Sequence, residues 1–428
     1  MCGWLLLTCT SIPKAIEIGA GFPGYILSLI IIGLGTGGIK PLVSPMAADQ
    51  LRLSKPEIRV VKGEKVIIDP TLTTQHLYNW FYWSINVGAL IGGVITPELE
   101  LHVGFWLAYM VPSCMFAVAL MVFVSGSKYY VRIPPSGEST IVKAYHCIRF
   151  ALKREKGSNP KPRHYLDAAK TNSPEGVRPE TDEEKSYKYW DDSFVDGLKQ
   201  TLMACFIFIP MCIYWTAYNQ ITSNLISQAA SMQLPPSIPD DIIGNIDPIA
   251  LIIFIPIMDT LVYPFLRRIR MNPRPMMRIT IGFALGALAM MTSALVQQRI
   301  YNAADRGEPK ISVWWQIPSY FLIAMSEIFA SITSLEYSYT HAPNSLKGLV
   351  MALSLFPNAV AAAIGMALAP VAQNPYLVWN YGGISVATGI CGIGFYYAFR
   401  HYDDLDDEND AKNMVITEDE IELDKLDD

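Results

Sequence analysis

The stretch PGYILSLIIIGLGTGGIKPLVSPM, residues 23–46, decides the fold class of this chain. It carries a single charged side chain, Lys40. About 20 consecutive apolar residues are enough to cross the hydrocarbon core of a bilayer, which is about 30 Å thick. We therefore predict a transmembrane helix here, with a cation inside it.

The rest of the chain has the same character. Of its 428 residues 51% are hydrophobic and 17% are charged, against about 25% charged in ordinary soluble domains. Apolar segments between charged or Pro/Gly-rich stretches predict about ten helices, of which the first is too short to span. They cover residues 1–11, 23–46, 77–97, 105–124, 198–217, 248–266, 276–296, 313–337, 346–370 and 376–399. The sequence thus predicts an all-α, multi-pass membrane protein.

Lysines and arginines in the loops predict the orientation, because cationic loops stay on the cytoplasmic side. Residues 51–75 and 267–278 carry five each and Lys347 follows the turn 341–345, whereas the alternate loops carry four in all. The segment 403–428 has 13 acidic side chains and two lysines, which is typical of a disordered tail. We expect that tail in the cytoplasm, and the protein in the plasma membrane.

Four regions follow from this pattern. Residues 1–124 are expected to form a helical bundle that is short of helices at its start, and residues 197–402 a six-helix bundle. Residues 125–196, polar and interrupted by prolines, read as a cytoplasmic linker. Within the linker, apolar residues at helical spacing in 140–152 predict a helix lying on the membrane surface. Residues 403–428 are the acidic tail.

Lys40 and Glu327 are the candidate charged groups of a binding site. Lys40 lies nine residues before Asp49, so about 13 Å inside the cytoplasmic end of its helix. A lysine at such depth costs about 2.5–3.5 kcal/mol, so we expect it to face a polar cavity or pair with an acid, unless it reaches the interface. Glu327 lies about ten residues inside its own helix. Burial disfavours its charged form and a nearby cation restores it, so Glu327 is a candidate proton carrier or a static ion-pair partner.

Two groups of rings and amides accompany these charges. Tyr78, Trp80, Phe81, Tyr82 and Trp83 are typical of an aromatic girdle at the membrane interface. Asn86, which follows them, needs hydrogen-bond partners, either in a cavity or on another helix. Trp215, Tyr218 and Asn219 end the helix 198–217 without a cation, which suits a polar but variable ligand or a plain external interface.

The remaining acids and histidines receive less specific interpretations. We predict that Asp247 caps the helix after it, that Asp259 is a second buried acid, and that Glu336 is solvated or interfacial. His76 is read as an interfacial residue. Glycines 33, 35, 37 and 38 at helical spacing predict a close approach of neighbouring helices.

Sequence signals for catalysis are missing. There is no HExxH, no GxSxG and no Cys/His spacing of a metal site, so we expect neither an enzyme nor a metal or cofactor. The expected partners are a small solute and the lipid bilayer, with no nucleic acid.

Several of these strings resemble a known family. GLGTGGIKPLVSPMAADQ (33–50) and FYWSINVGAL (81–90) are similar to two motifs of the proton-dependent oligopeptide transporters, the POT/PTR family. Residues 210–229, 245–256 and 326–353 are similar to its fungal branch. The resemblance implies the major facilitator fold, with two six-helix bundles around a cavity, and symport of di- and tripeptides with protons by alternating access.

The resemblance also implies roles for single residues. Lys40 would lie near the peptide carboxylate and take part in proton coupling, Asn86 would bond the peptide backbone, Trp215 would line a side-chain pocket, and Glu327 would pair with the peptide amino terminus. Small peptides and protons are thus the implied partners.

The chain departs from the family pattern in three respects. It is neutral at Tyr218 and Asn219, where many members have an acid, and Asp247 replaces an asparagine. It also lacks an ExxER motif, so we expect ten of twelve helices. Two alternative functions stay open: a non-transporting fragment or regulatory paralogue, and a facilitator of another solute such as nitrate.

Overall fold

The protein is described here from a computed structural model, which covers residues 1–51, 57–61, 64–68, 70–131, 140–155, 165–170, 190–235, 240–269, 274–340, 342 and 346–424. Helices dominate it. The first half contains α1 (Cys2–Thr10), α2 (Pro13–Glu17), α3 (Gly21–Asp49), α4 (Pro70–His102) and α5 (Phe105–Ser125). A hairpin of β1 (Glu57–Val61) and β2 (Glu64–Ile68) joins α3 to α4, pairing antiparallel with Glu57 opposite Ile68. These strands were not predicted from the sequence.

The linker and second half continue the helical architecture. They contain α6 (Thr140–Glu155), α7 (Asp192–Cys205), α8 (Phe208–Tyr218), α9 (Asn224–Ala230), α10 (Ile246–Ile257), α11 (Tyr263–Arg268), α12 (Pro275–Asp305), α13 (Ile317–Glu327), α14 (Thr333–Thr340), α15 (Lys347–Leu368) and α16 (Leu377–Asp424). Short 3₁₀ turns occupy Gly126–Lys128, Tyr165–Ala169, Asp240–Asn245 and Val313–Gln316. Single π-helical turns, Met258–Val262 and Ile328–Ile332, join α10 to α11 and α13 to α14.

All ten predicted segments are helical, which confirms the all-α fold class. Within the described residues, seven helical stretches are long and apolar enough to cross a membrane. They are Gly21–Asp49, Phe105–Lys128, Ile243–Leu266, Pro275–Asp305, Val313–Thr340, Lys347–Leu368 and Leu377–Tyr402. The predicted spans 77–97 and 198–217 fall outside this set. The first carries polar residues such as Asn79 and Asn86, and the second is split between α7 and α8.

The linker helix α6 packs through one face into a small core of its own. Ala144, Cys147 and Ala151 are buried there with Trp190 and Leu346. A different face of α6 is exposed and apolar, with Ile141, Tyr145 and Leu152. The helix itself is therefore confirmed, and contact of its exposed face with a membrane stays a prediction.

The end of the chain differs from the prediction of a disordered tail. α16 runs from the last span without a break through Asp424, so the backbone of 403–424 is helical. The physical reason is that residues 403–424 contain neither proline nor glycine, the usual terminators of a helix, and include helix formers such as glutamate, lysine and leucine.

The core lies mainly in the second half and along its contact with α4. Tyr78 of α4 is buried together with Leu251 of α10, Ile255 of α10 and Ile328 of the π turn. Within the second half, α12 and the π turn Ile328–Ile332 also pack closely, because a Cβ added at Gly282 would lie 2.5 Å from the Cβ of Ala330. The two halves thus share one packed interface.

The first half is much more open. Only 6% of the most apolar window of α3 is buried, against 67% for Val313–Thr340. Glycines 33, 35, 37 and 38 have no described atom within 4 Å of the place where a Cβ would stand. The prediction of close helix packing at these glycines is therefore wrong for the part of the chain that the structure describes, because no other described helix comes into contact with α3 at these positions.

Candidate functional site

A cavity of about 500 Å³ lies between the two halves of the molecule. Its walls come from α1, α3, α4 and α5 on one side, and from α8, α14 and α15 on the other. The polar side chains on the wall include Thr36, Lys40, Tyr82, Trp215, Ser334 and Asn358. A concave, mostly apolar site with a few polar groups is what a small-molecule site requires.

Lys40 lies on the wall of this cavity, as predicted. Pro41 follows it within α3, where the missing N–H loosens the helix. The Lys40 side chain is exposed and makes no hydrogen bond or ion pair with any residue whose side chain the structure describes. The cavity therefore has a cation without a fixed counter-ion.

Glu327 is buried at the end of α13, with 2% of its surface exposed. The Tyr82 hydroxyl donates a hydrogen bond to its Oε1, and its Oε2 has no hydrogen-bond partner among the described residues. Tyr82 itself lines the cavity, whereas Glu327 lies behind it. The pair joins α4 of the first half to α13 of the second.

The three predicted residues of α8 occupy neighbouring positions. Trp215 lines the cavity, and its ring centroid lies 5.2 Å from that of Tyr218 in an edge-to-face arrangement. Tyr218 faces Glu327. Asn219 donates a hydrogen bond of 3.2 Å to Oδ1 of Asn358, which also lines the cavity. This face is uncharged, in agreement with the sequence.

Asn86 is buried, but its amide is used differently from the prediction. Its Nδ2 donates a 2.9 Å hydrogen bond to the backbone carbonyl of Tyr82, one turn earlier in α4. Within the described structure, Asn86 does not line the cavity, and its side chain makes no hydrogen bond to another helix. The bond within its own helix satisfies the amide, which is why neither predicted arrangement is needed.

Glu336 corrects another prediction. It is not solvated: its side chain is 7% exposed and accepts two hydrogen bonds from Nη2 of Arg278, at 3.2 and 3.0 Å. Arg278 is also buried, because α12 already begins at Pro275 and directs its first turn toward α14. Counting residues from the loop had assigned Arg278 to the cytoplasmic surface.

Asp259 and His76 form a second paired cluster. Asp259 is buried as predicted, with an 8% exposed side chain, and lies 2.5 Å from Nδ1 of His76. Asn79 donates a 2.9 Å hydrogen bond to its other oxygen. His76 is 59% exposed, which fits its interpretation as an interfacial residue. Both partners come from α4.

Asp247 is not a helix cap. The residue before α10 is Asn245, whose Nδ2 donates to the carbonyl of Gly93 on α4. Asp247 lies in the first turn and is only 4% exposed. Its Oδ1 has no hydrogen-bond partner among the described residues.

Two residues of the site were missed by the sequence analysis. Tyr82 was assigned to an aromatic girdle, and Asn358 was not considered. The available signal was spacing: Tyr82 precedes Asn86 by four residues, so the two share a face of α4 inside a span. Asn358 follows Pro357 in the middle of α15, where an amide needs a partner.

Known proteins resemble this chain over most of its length. The model of the POT family (PTR2) matches residues 1–385. The probable peptide transporter ptr2 of Schizosaccharomyces pombe is 42% identical over 433 residues, which cover 98% of this chain and 68% of that protein. The chain belongs to the POT family.

Other POT-family proteins agree. The peptide transporter PTR2 of Saccharomyces cerevisiae is 40% identical over 434 residues, covering 99% of this chain and 68% of its own length. Among solved structures, the POT family transporter PepTSo has a TM-score of 0.64 at 21% identity, over 94% of this chain and 82% of that one. An auto-inhibited POT family peptide transporter has a TM-score of 0.61 at 21% identity, over 93% and 81%. These structures support the fold.

Proposed function

We propose that this chain moves di- and tripeptides across a membrane together with protons. The observation that carries the proposal is one cavity between the two halves with an unpaired cation, Lys40, on its wall and a buried carboxylate, Glu327, behind Tyr82. The names of the relatives, peptide transporters of fungi, agree with it.

The chemistry of a short peptide matches these groups. Its carboxylate would be held by Lys40 and its ammonium group by Glu327, because charge-assisted hydrogen bonds are the strongest available in an apolar site. The ammonium group would take the free Oε2 of Glu327, while Tyr82 keeps its hydrogen bond to Oε1 and holds the carboxylate in place. Trp215, Tyr218 and Asn219 would contact the middle of the peptide, where uncharged rings and amides tolerate different side chains.

A transport cycle also needs the cavity to open on alternate sides. In the proposed cycle, residues 1–124 move against residues 197–402, and the linker 125–196 connects the two moving parts. The protein would lie in the plasma membrane, with its C-terminal tail in the cytoplasm. Contacts near the cytoplasmic end support this division. The Tyr339 hydroxyl donates a 2.8 Å hydrogen bond to Oδ1 of Asp49, and Lys347 lies 3.5 Å from the same oxygen.

Uptake of a labelled dipeptide into cells without peptide transporters tests the proposal. We expect uptake that rises with an inward proton gradient and disappears with a protonophore. Lys40→Ala and Glu327→Gln should each reduce it strongly, whereas Lys310→Ala, which changes an exposed lysine beyond α12, should not.

The alternatives predict different results in the same assay. If cells carry a normal amount of the protein at their surface but show no proton-driven uptake, a non-transporting or regulatory role is favoured. Competition by nitrate, without competition by unlabelled dipeptides, would favour another solute.

A further inference from the structure

Asp247 and Glu327 are buried acids without a cationic partner. Glu336, by contrast, has Arg278 and Asp49 has Lys347, while Asp259 contacts the imidazole of His76 and the amide of Asn79. Within the described part of the chain, no lysine, arginine or histidine forms an ion pair with Asp247 or Glu327. One oxygen of each carboxyl group is also buried without a hydrogen-bond partner.

These two acids belong to one cluster. Asp247 comes from the first turn of α10 and Glu327 from the last turn of α13, two helices that pack directly against each other, and the two carboxyl groups are near enough to repel each other when both are charged. The other titratable groups that face them are phenols from each neighbouring helix: Tyr82 of α4, Tyr214 and Tyr218 of α8, and Tyr320 of α13. Phenols can donate hydrogen bonds but bring no positive charge at neutral pH.

Charge balance then determines what such a pair can bind. Two carboxylates and one ammonium group leave one excess negative charge, which is costly in a buried site. One proton on the pair makes the assembly neutral. A site with Glu327 as its only carboxylate would already be neutral once the ammonium group is bound. The proton is needed because Asp247 adds a second negative charge.

We propose that Asp247 and Glu327 form one site that takes up the ammonium group of the substrate together with one proton. Asp247 is then the residue that makes peptide binding depend on a proton at this site. The inference rests on the proposed function, because it takes the ammonium group of a peptide as the ligand.

Binding of Ala-Ala to the purified full chain tests this, measured by calorimetry between about pH 5.5 and pH 7, where the amino group of the free peptide, with a pKa of about 8, is already protonated. For the unaltered chain we expect uptake of nearly one proton per peptide, counted from buffers with different ionisation enthalpies. Where the free site has lost that proton, the affinity should fall about tenfold per pH unit. Asp247→Asn should still bind Ala-Ala but with a nearly flat pH dependence, and Asp247→Glu should restore the slope.

Asp259→Asn is the matched control, since it removes a buried acid that has its own partners, and it should keep the slope. An unaltered chain that binds Ala-Ala without taking up a proton would overturn the proposal. So would Asp247→Asn with an unchanged slope, or with no binding at any pH. If the unaltered chain does not bind Ala-Ala at all, the proposed function fails instead.

Discussion

Glu327 and Glu336 lie nine residues apart in the run from α13 to α14, and they have opposite surroundings. Glu336 accepts two hydrogen bonds from Arg278 and is held in place. Glu327 accepts one from a neutral phenol, Tyr82, and has an oxygen free of described partners. A buried carboxylate without a cationic partner is stabilised strongly when a cation or a proton binds to it. At the scale of single residues, Glu327 is suited to exchange partners and Glu336 to fix structure.

Tyr82→Phe should weaken peptide uptake. The change removes the phenol that donates to Glu327, and a hydrogen bond to a charged group contributes about 1.5–3 kcal/mol. We expect the KM for a dipeptide to rise about tenfold or more, with a normal amount of protein at the membrane. Tyr109→Phe, which alters a partly exposed phenol of α5, should leave KM unchanged; an unaltered KM in Tyr82→Phe would contradict the assigned role.

Cys147 should resist alkylation in the folded protein. It is fully buried in the linker core, outside the spans, and burial raises the pKa of its thiol from 9.0 to about 12. The thiolate is the reactive form, so at pH 8 its fraction falls about a thousandfold. Mass spectrometry after iodoacetamide treatment should find Cys147 unmodified in native protein and modified after unfolding. Modification as fast as that of the exposed Cys9 would contradict the packing of α6.

At the scale of elements, the π turns coincide with the buried acids of the interface. Asp259 lies inside the turn Met258–Val262, and Glu327 immediately precedes the turn Ile328–Ile332. A π turn inserts a residue into a helix and often occurs at functional sites. Here both turns lie on helices that pack against α4, so they set the direction in which these acids meet the other half.

The Arg278–Glu336 pair should stabilise the junction of α12 and α14. Arg278→Met removes the cation that donates two hydrogen bonds to the buried Glu336, and breaking such a pair costs about 3–5 kcal/mol. We expect a clear fall in the unfolding temperature in detergent. The double variant Arg278→Met/Glu336→Leu should recover most of the loss, because no buried charge remains. Equal stability of Arg278→Met and the unaltered chain would show that the pair is not formed.

The sequence predicted the elements far better than their partners. Apolar length was enough to predict ten helical segments, and the cost of burying a cation was enough to predict that Lys40 faces a cavity. The contact of Tyr82 with Glu327 joins residues 245 positions apart, and that of Arg278 with Glu336 joins two helices. Such contacts depend on how helices pack, which periodicity does not encode. Asp247 was misread for the same reason, since its position beside a helix start suggests a cap.

At the scale of the whole molecule, contacts between the halves are concentrated on α4 and near the end of α3. Trp83 donates a 3.0 Å hydrogen bond to the carbonyl of Ile252, and Asn245 donates to Gly93 further along α4. Asp49, Tyr339 and Lys347 join α3 to α14 and α15. Opening of the cavity on the side of this last cluster would have to break its contacts.

Asp49→Asn should therefore favour the conformation in which the cavity is open on the side of this cluster. It removes a partly buried ion pair and weakens one hydrogen bond, together about 1 kcal/mol, which changes a two-state ratio roughly fivefold. Distances between spin labels near Asp49 at the end of α3 and near Lys347 at the start of α15 measure this ratio. Asp305→Asn, an exposed change at the end of α12, should leave the distances as they are, and unchanged distances in Asp49→Asn would count against the cluster as a closure.

The most direct test of the central claim follows protons and peptide together. The chain is reconstituted into vesicles that enclose a pH-sensitive dye, and a dipeptide is added outside. We predict that the lumen acidifies as peptide enters and that Glu327→Gln abolishes both changes. Entry of peptide without acidification, or no entry into vesicles that contain correctly inserted protein, would contradict proton-coupled peptide transport by this chain.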